Sequence, residues 1–415
     1  MRFEVRVLAA LLAMVAASPL ALGQTTQPAA FPKIVDMLNQ GVEPVRIVCF
    51  GDSVTGVYYH TGGRRAYADM LGIALKRLYP SAKVEVINAG VSGHTTVDGL
   101  ARIDKDVLAH KPHLVTVMFG LNDITRVAKE DYANNLSTII EKCRAVGSEV
   151  LLCTPNAVFD TESRPSSKLE DYIAALHDVA KKQNAPVAEC YAGFQKVREQ
   201  DAGAFGFLMS DEIHPNMDGH KYFAEMMAET ITGKPVSLSD EPSPFPAIPK
   251  TLALLKEGKP VRVYAMPPYD ALIADALRSS FPSASLVVTP WQTDGKTVPQ
   301  LEEDAKAIRG IGVDLVVVAI PIEADADTPD QYGRSYRWVM NHALSFGYQE
   351  WDVVAFAPSL AKPELSPEQQ AKDEIARRLI RAQDLGTVVR EGGNTTPAAQ
   401  LLADWVKTQT LEPGK

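Results

Sequence analysis

Short apolar runs alternate with helix-period stretches along this chain, and that alternation limits its fold more than any other feature. In the first half the runs are Val45–Phe50, Val84–Ile87, Leu114–Phe119 and Val150–Cys153. Between them lie helical stretches such as Tyr67–Leu78 and Tyr132–Val146. Such alternation predicts a parallel sheet with helices on both faces. The second half repeats it with Val261–Ala265, Leu286–Val288, Leu315–Ile320 and Val353–Phe356.

Between the halves lies a proline-rich polar stretch, Gly233 to Lys250, read as an extended linker over 234–250. It separates a domain at 30–233 from one at 251–415. All four cysteines precede it and all four tryptophans follow it. The halves nonetheless match in order. Glu43-Pro44-Val45-Arg46-Ile47 resembles Lys259-Pro260-Val261-Arg262-Val263, and Tyr79-Pro80-Ser81-Ala82 resembles Phe281-Pro282-Ser283-Ala284. Gly93-His94-Thr95 aligns with Gly295-Lys296-Thr297, and Leu114-Val115-Thr116-Val117 with Leu315-Val316-Val317-Val318. The expectation is a tandem duplication of one α/β domain.

Arg2 and Arg6 precede an apolar run from Val7 to Ala17, and Ala21-Leu22-Gly23 supplies a small-x-small cleavage pattern before Gln24. Residues 1–23 read as a signal peptide, so the mature protein is expected to be exported, periplasmic or secreted, without stable membrane insertion. With 51 acidic and 42 basic residues the formal charge is −9, a poor match to nucleic acid or anionic membrane. The 22% charged and 46% hydrophobic content excludes a disordered, collagen-like or coiled-coil chain. Cys49 and Cys153, inside strand-like runs, read as buried thiols, while a bridge involving Cys143 or Cys190 stays open. The cysteine spacings match no zinc or thioredoxin pattern, and no metal is expected. The oligomeric state is not legible.

Four elements carry chemistry. Gly51-Asp52-Ser53 follows the first strand-like run, which puts a serine at the edge where α/β sheets build sites. Gly93, after the second run, can offer a backbone N–H with no Cβ in the way. Asn122, after the third, can aim an amide donor at a developing oxyanion. His214 suits a general base near neutral pH, and Asp211, three residues earlier, can fix its tautomer. Each alone also reads as an ordinary turn or cap.

Taken together and in this order, they resemble the SGNH, or GDSL-type, hydrolase family, named for a Ser, a Gly, an Asn and a His in four such blocks. The resemblance covers Pro44 to Gly233. It implies a flavodoxin-like three-layer α/β/α fold and cofactor-free ester hydrolysis, with Ser53, His214 and Asp211 as triad and Ser53, Gly93 and Asn122 as oxyanion hole. The polar aromatic loop after Ser53 contains Tyr58, Tyr59, His60 and Arg64 and is expected to form a substrate rim, tyrosine faces meeting sugar rings. The resulting expectation is an exported esterase acting on an acyl, foremost acetyl, ester of a carbohydrate. A lysophospholipase or thioesterase is the alternative within the family, and an inactive glycan-binding protein is the alternative outside it. In the second half Met266-Pro267-Pro268-Tyr269 stands where Phe50-Gly51-Asp52-Ser53 stands in the first, and Pro321-Ile322-Glu323-Ala324 replaces Gly120-Leu121-Asn122-Asp123. That half is expected to do no chemistry.

Overall fold

A computed structural model describes residues 28–411, so the expected signal peptide, residues 1–23, lies outside the described residues. The chain divides into two compact units, with the boundary between Glu241 and Pro242.

The first unit holds five parallel strands: β1 Val45–Gly51, β2 Val84–Gly90, β3 Leu114–Met118, β4 Glu149–Cys153 and β5 Val187–Ala188. Their order is β2-β1-β3-β4-β5. β1 is an interior strand, between β2 and β3, and its side chains are covered on both faces: Val45, Ile47, Val48, Cys49 and Phe50 are all fully buried. On one side, helix Met217–Thr232 packs against helices Tyr67–Leu78, Pro32–Gln40 and Cys190–Gln200. Helix Lys129–Ala145 packs against Thr96–Asp106 and Ser166–Gln183 in a second layer. This is a flavodoxin-like three-layer α/β/α fold. The chain leaves β1 for β2 on one side and returns past it to β3 on the other. The crevice at the β1 and β3 carboxyl ends is therefore the topological switch point, where open α/β sheets bind ligands.

The second unit has four parallel strands, β6 Val261–Ala265, β7 Leu286–Pro290, β8 Leu315–Val318 and β9 Asp352–Ala355, in the order β7-β6-β8-β9. That is the order of the first four strands of the first sheet. Details of the two units correspond as well. Thr95 and Thr297 each cap the following helix by accepting from the N–H three residues on. Gly93 and Gly295 both take left-handed backbone, φ 77° and 69°.

The proline-rich stretch is not a free linker at either end. Arg77 donates to the Ser237 carbonyl at 2.9 Å and pairs with Glu241, while Leu238 is fully buried in the first core. On the other side of the boundary, the Ala247 N–H donates to Gln409 Oε1 at 2.7 Å. The four cysteines are unpaired and buried, which removes the Cys143 or Cys190 bridge; burial pushes the Cys49 and Cys143 thiols up to about 12. Among the described residues no helix is long and apolar enough to cross a membrane.

Candidate active site

The serine sits in a turn that only glycine can start. A Cβ on Gly51 would lie 2.1 Å from Thr55 Oγ1 and 2.4 Å from the Met118 carbonyl oxygen, so β1 ends pressed against β3. Asp52 then closes the turn. Its carbonyl accepts from the Thr55 and Gly56 N–H groups, and its Oδ1 accepts from the Val54 N–H at 2.9 Å. The half-buried Arg102 ties the strand ends together beneath it, donating to the Gly51 and Ala89 carbonyls at 2.8 Å each.

His214 arrives from a loop outside the sheet. The Ser210 N–H donates to the His214 carbonyl, and Met209 and Pro215 form an antiparallel bridge that shapes the loop. Asn216 caps the helix that follows by accepting from the Gly219 N–H. His214 Nε2 lies 2.9 Å from Ser53 Oγ, and His214 Nδ1 lies 2.8 Å from Asp211 Oδ2. Asp211 Oδ1 accepts from the backbone N–H groups of Ile213 and His214. Burial opposes the Asp211 charge, but His214 and these donors outweigh it and hold the carboxyl well below the usual range. Burial also presses the His214 proton affinity down. The charge and hydrogen bond of Asp211, with Asp52 beyond, reverse this and raise it above its ordinary value.

Gly93 and Asn122 lie at the ends of the neighbouring strands. Gly93 is exposed, and a Cβ there would meet nothing within 4 Å, so its glycine answers to backbone conformation rather than crowding. Asn122 is buried, its Nδ2 within 3.3 Å of Asp52 Oδ2 and 3.1 Å of the His94 carbonyl. Arg164 donates to Asn122 Oδ1 at 3.3 Å and so decides which way the amide faces. Burial raises the Asp52 carboxyl to about 6. Asp52, Arg102 and Arg164 were not among the expected site residues. Asp52 is the middle residue of the Gly-Asp-Ser turn and could have been suspected, whereas nothing local marks the two arginines.

The aromatic loop departs from the expected rim. Tyr58 uses its hydroxyl to accept from the Ser92 N–H at 2.9 Å. Tyr59 turns inward and donates to Asp211 Oδ2 at 2.7 Å. His60 is fully buried and stacks on His214, so it cannot meet substrate. Arg64, like Tyr58, stays partly exposed. Among the described residues no group of three His, Cys, Asp or Glu side chains is arranged to hold a metal ion.

Comparison with known proteins points to one family. The family model for GDSL-like lipases and acylhydrolases matches residues 49–222. An acetylxylan esterase of Geobacillus stearothermophilus is 27% identical over 169 residues, spanning 38% of this chain and 76% of that protein. An uncharacterized lipoprotein, YqeF, of Bacillus subtilis is 32% identical over 200 residues, spanning 41% of this chain and 80% of its own. A thioesterase 1/protease 1/lysophospholipase L1 of Escherichia coli is 26% identical over 186 residues, spanning 45% and 82%.

Proposed function

The chain belongs to the GDSL-like lipase/acylhydrolase family and is a carboxylic ester hydrolase; from that premise we propose that it is an exported serine esterase which removes an acyl group, foremost acetyl, from a carbohydrate. The observation that carries the mechanism is the relay from Ser53 Oγ through His214 to Asp211, with links of 2.9 and 2.8 Å. His214 Nε2 takes the Ser53 proton as the oxygen attacks the ester carbonyl. Asp211 keeps Nδ1 protonated and stabilises the imidazolium that forms. The Ser53 and Gly93 N–H groups and the Asn122 amide receive the carbonyl oxygen as it gains charge. The imidazolium then protonates the departing alkoxide, and water, deprotonated by the same base, releases the acyl group from Ser53.

The acetyl-carbohydrate preference is supported by likeness to the acetylxylan esterase. Arg64 and the partly exposed Tyr58 ring are the proposed sugar contacts. Likeness to the thioesterase and lysophospholipase supports the alternative of a longer acyl chain. An inactive glycan-binding protein is disfavoured, because the relay is assembled for proton transfer. Rates on p-nitrophenyl esters from acetate to palmitate, beside acetylated xylan, separate these readings. A preference for palmitate would overturn the first.

The second unit is proposed to be a degenerate copy of the first, supported by the shared strand order and the matched caps. Tyr269, at the position of Ser53, is buried, and Pro267 and Pro268 take away two N–H donors there. Glu323, at the Asn122 position, pairs with Lys362 and would repel an oxyanion. Export rests on the leader pattern, and a mature N-terminus at Gln24 is its test.

A further inference from the structure

We infer that His60 is a positioning residue for the serine chemistry, holding the catalytic imidazole face-on and supporting the positive charge it acquires during acylation. This rests on the proposal that His214 is the base for Ser53.

The His60 ring lies parallel to that of His214, with centroids 4.6 Å apart and planes 4° from coincident. His220 in turn stacks on His60, at 5.7 Å and 19°. Tyr67 continues the column, 6.1 Å from His220. His60 and His220 are fully buried. The column ends in fixed anchors: His220 Nδ1 accepts from the Tyr67 N–H at 2.9 Å, and the Tyr67 hydroxyl meets Thr55 Oγ1 at 3.0 Å. The anchored column therefore braces the face of the base.

The column is electrically graded. Burial, then the facing histidines, hold His60 well below its usual value, and burial pushes His220 down to about 3. The groups around His214 are Asp211 and Tyr59 at Nδ1, Ser53 at Nε2, the charges of Asp52 and Arg164, and His60 with His220 behind its face. Of the three rings, only that of His214, beside Asp211, has its proton affinity raised. A neutral π face next to a forming imidazolium is attractive in the way of a cation over an aromatic ring, and the dry surroundings strengthen it. A charged ring there would oppose the reaction, so the burial that keeps His60 neutral belongs to the arrangement. Tyr59 and His60 bring flat rings against Asp211 and His214, on a loop over 150 positions later.

The test compares His60→Leu, His60→Met and His60→Phe in the full chain, each scored for kcat, KM, the acid limb of kcat/KM and the rate of labelling by a fluorophosphonate. His60→Leu and His60→Met remove the π face, and kcat should fall about tenfold with KM nearly unchanged. Their acid limb should move to lower pH, because the imidazolium loses support. His60→Phe restores a face and should recover most of the rate and the limb. Wild-type rate and limb in the aliphatic variants would overturn the inference. So would a Phe variant as slow as Leu with an unmoved limb, which would make His60 packing alone. If the wild-type chain resists the fluorophosphonate, or Ser53→Ala keeps its turnover, it is the underlying serine mechanism that fails instead.

Discussion

The Tyr59 hydroxyl donates to the same carboxylate oxygen of Asp211 that faces His214, at 2.7 Å against 2.8 Å. A hydroxyl so placed shares the work of fixing Asp211 and is not available to a sugar. Tyr59→Phe should therefore lower kcat about tenfold, the worth of a hydrogen bond to a charged acceptor, and leave KM alone. Steady-state kinetics on one soluble ester decides it, since a change confined to KM would return Tyr59 to the substrate rim.

Asn122 should matter only once the carbonyl oxygen carries charge. Asn122→Ala should cost about 2.7–4 kcal/mol in kcat with little effect on KM. Both Nδ2 hydrogens have long-range acceptors in the resting site, at 3.1 and 3.3 Å, so the amide gives up a weak contact when it turns to the oxyanion. An effect on KM alone would assign Asn122 to binding.

The pH profile follows from His214. A general base works only when neutral, and its proton affinity is raised above the ordinary 6.5 by Asp211 and Asp52. Activity should thus fall on acidification with a midpoint above 6.5. Asp52→Asn removes one source of the elevation, so its limb should move to lower pH as kcat drops through the loss of an acceptor for Asn122. A limb that stays put in Asp52→Asn would contradict the electrostatic coupling.

Gly51 tests the turn rather than the chemistry. With a methyl group driven against Met118 O and Thr55 Oγ1, Gly51→Ala should destabilise the chain by at least about 2 kcal/mol, read as a lower denaturant midpoint. An unchanged midpoint would mean that β1 and β3 can separate at no cost.

Much of this site is legible in the amino-acid sequence because each of Ser53, Gly93 and Asn122 follows an apolar strand-like run, and the end of such a run points to a strand end. His214 is legible through its local partner Asp211, three residues away. Tyr59 and His60 are not, because no local signal says which way a ring turns. Their partners lie near Asp211 and His220, and only the folded chain brings these segments together. The same limit hides β5, two residues long, and the anchoring of Leu238, which sits in a stretch whose prolines read as linker. The strand order shared by the two units is foreshadowed by the paired motifs, but the common left-handed backbone at Gly93 and Gly295 is a property of the folded chain alone.

The central claim is that Ser53 is the activated nucleophile and the sole seat of hydrolysis in the chain. Incubation of the full-length protein with a fluorophosphonate, followed by peptide mass spectrometry, tests it most directly. The account predicts one adduct, on Ser53, absent in Ser53→Ala, slowed by orders of magnitude in His214→Ala, and paralleled by loss of all ester hydrolysis. An adduct on another residue, in either unit, or full turnover in Ser53→Ala would contradict it.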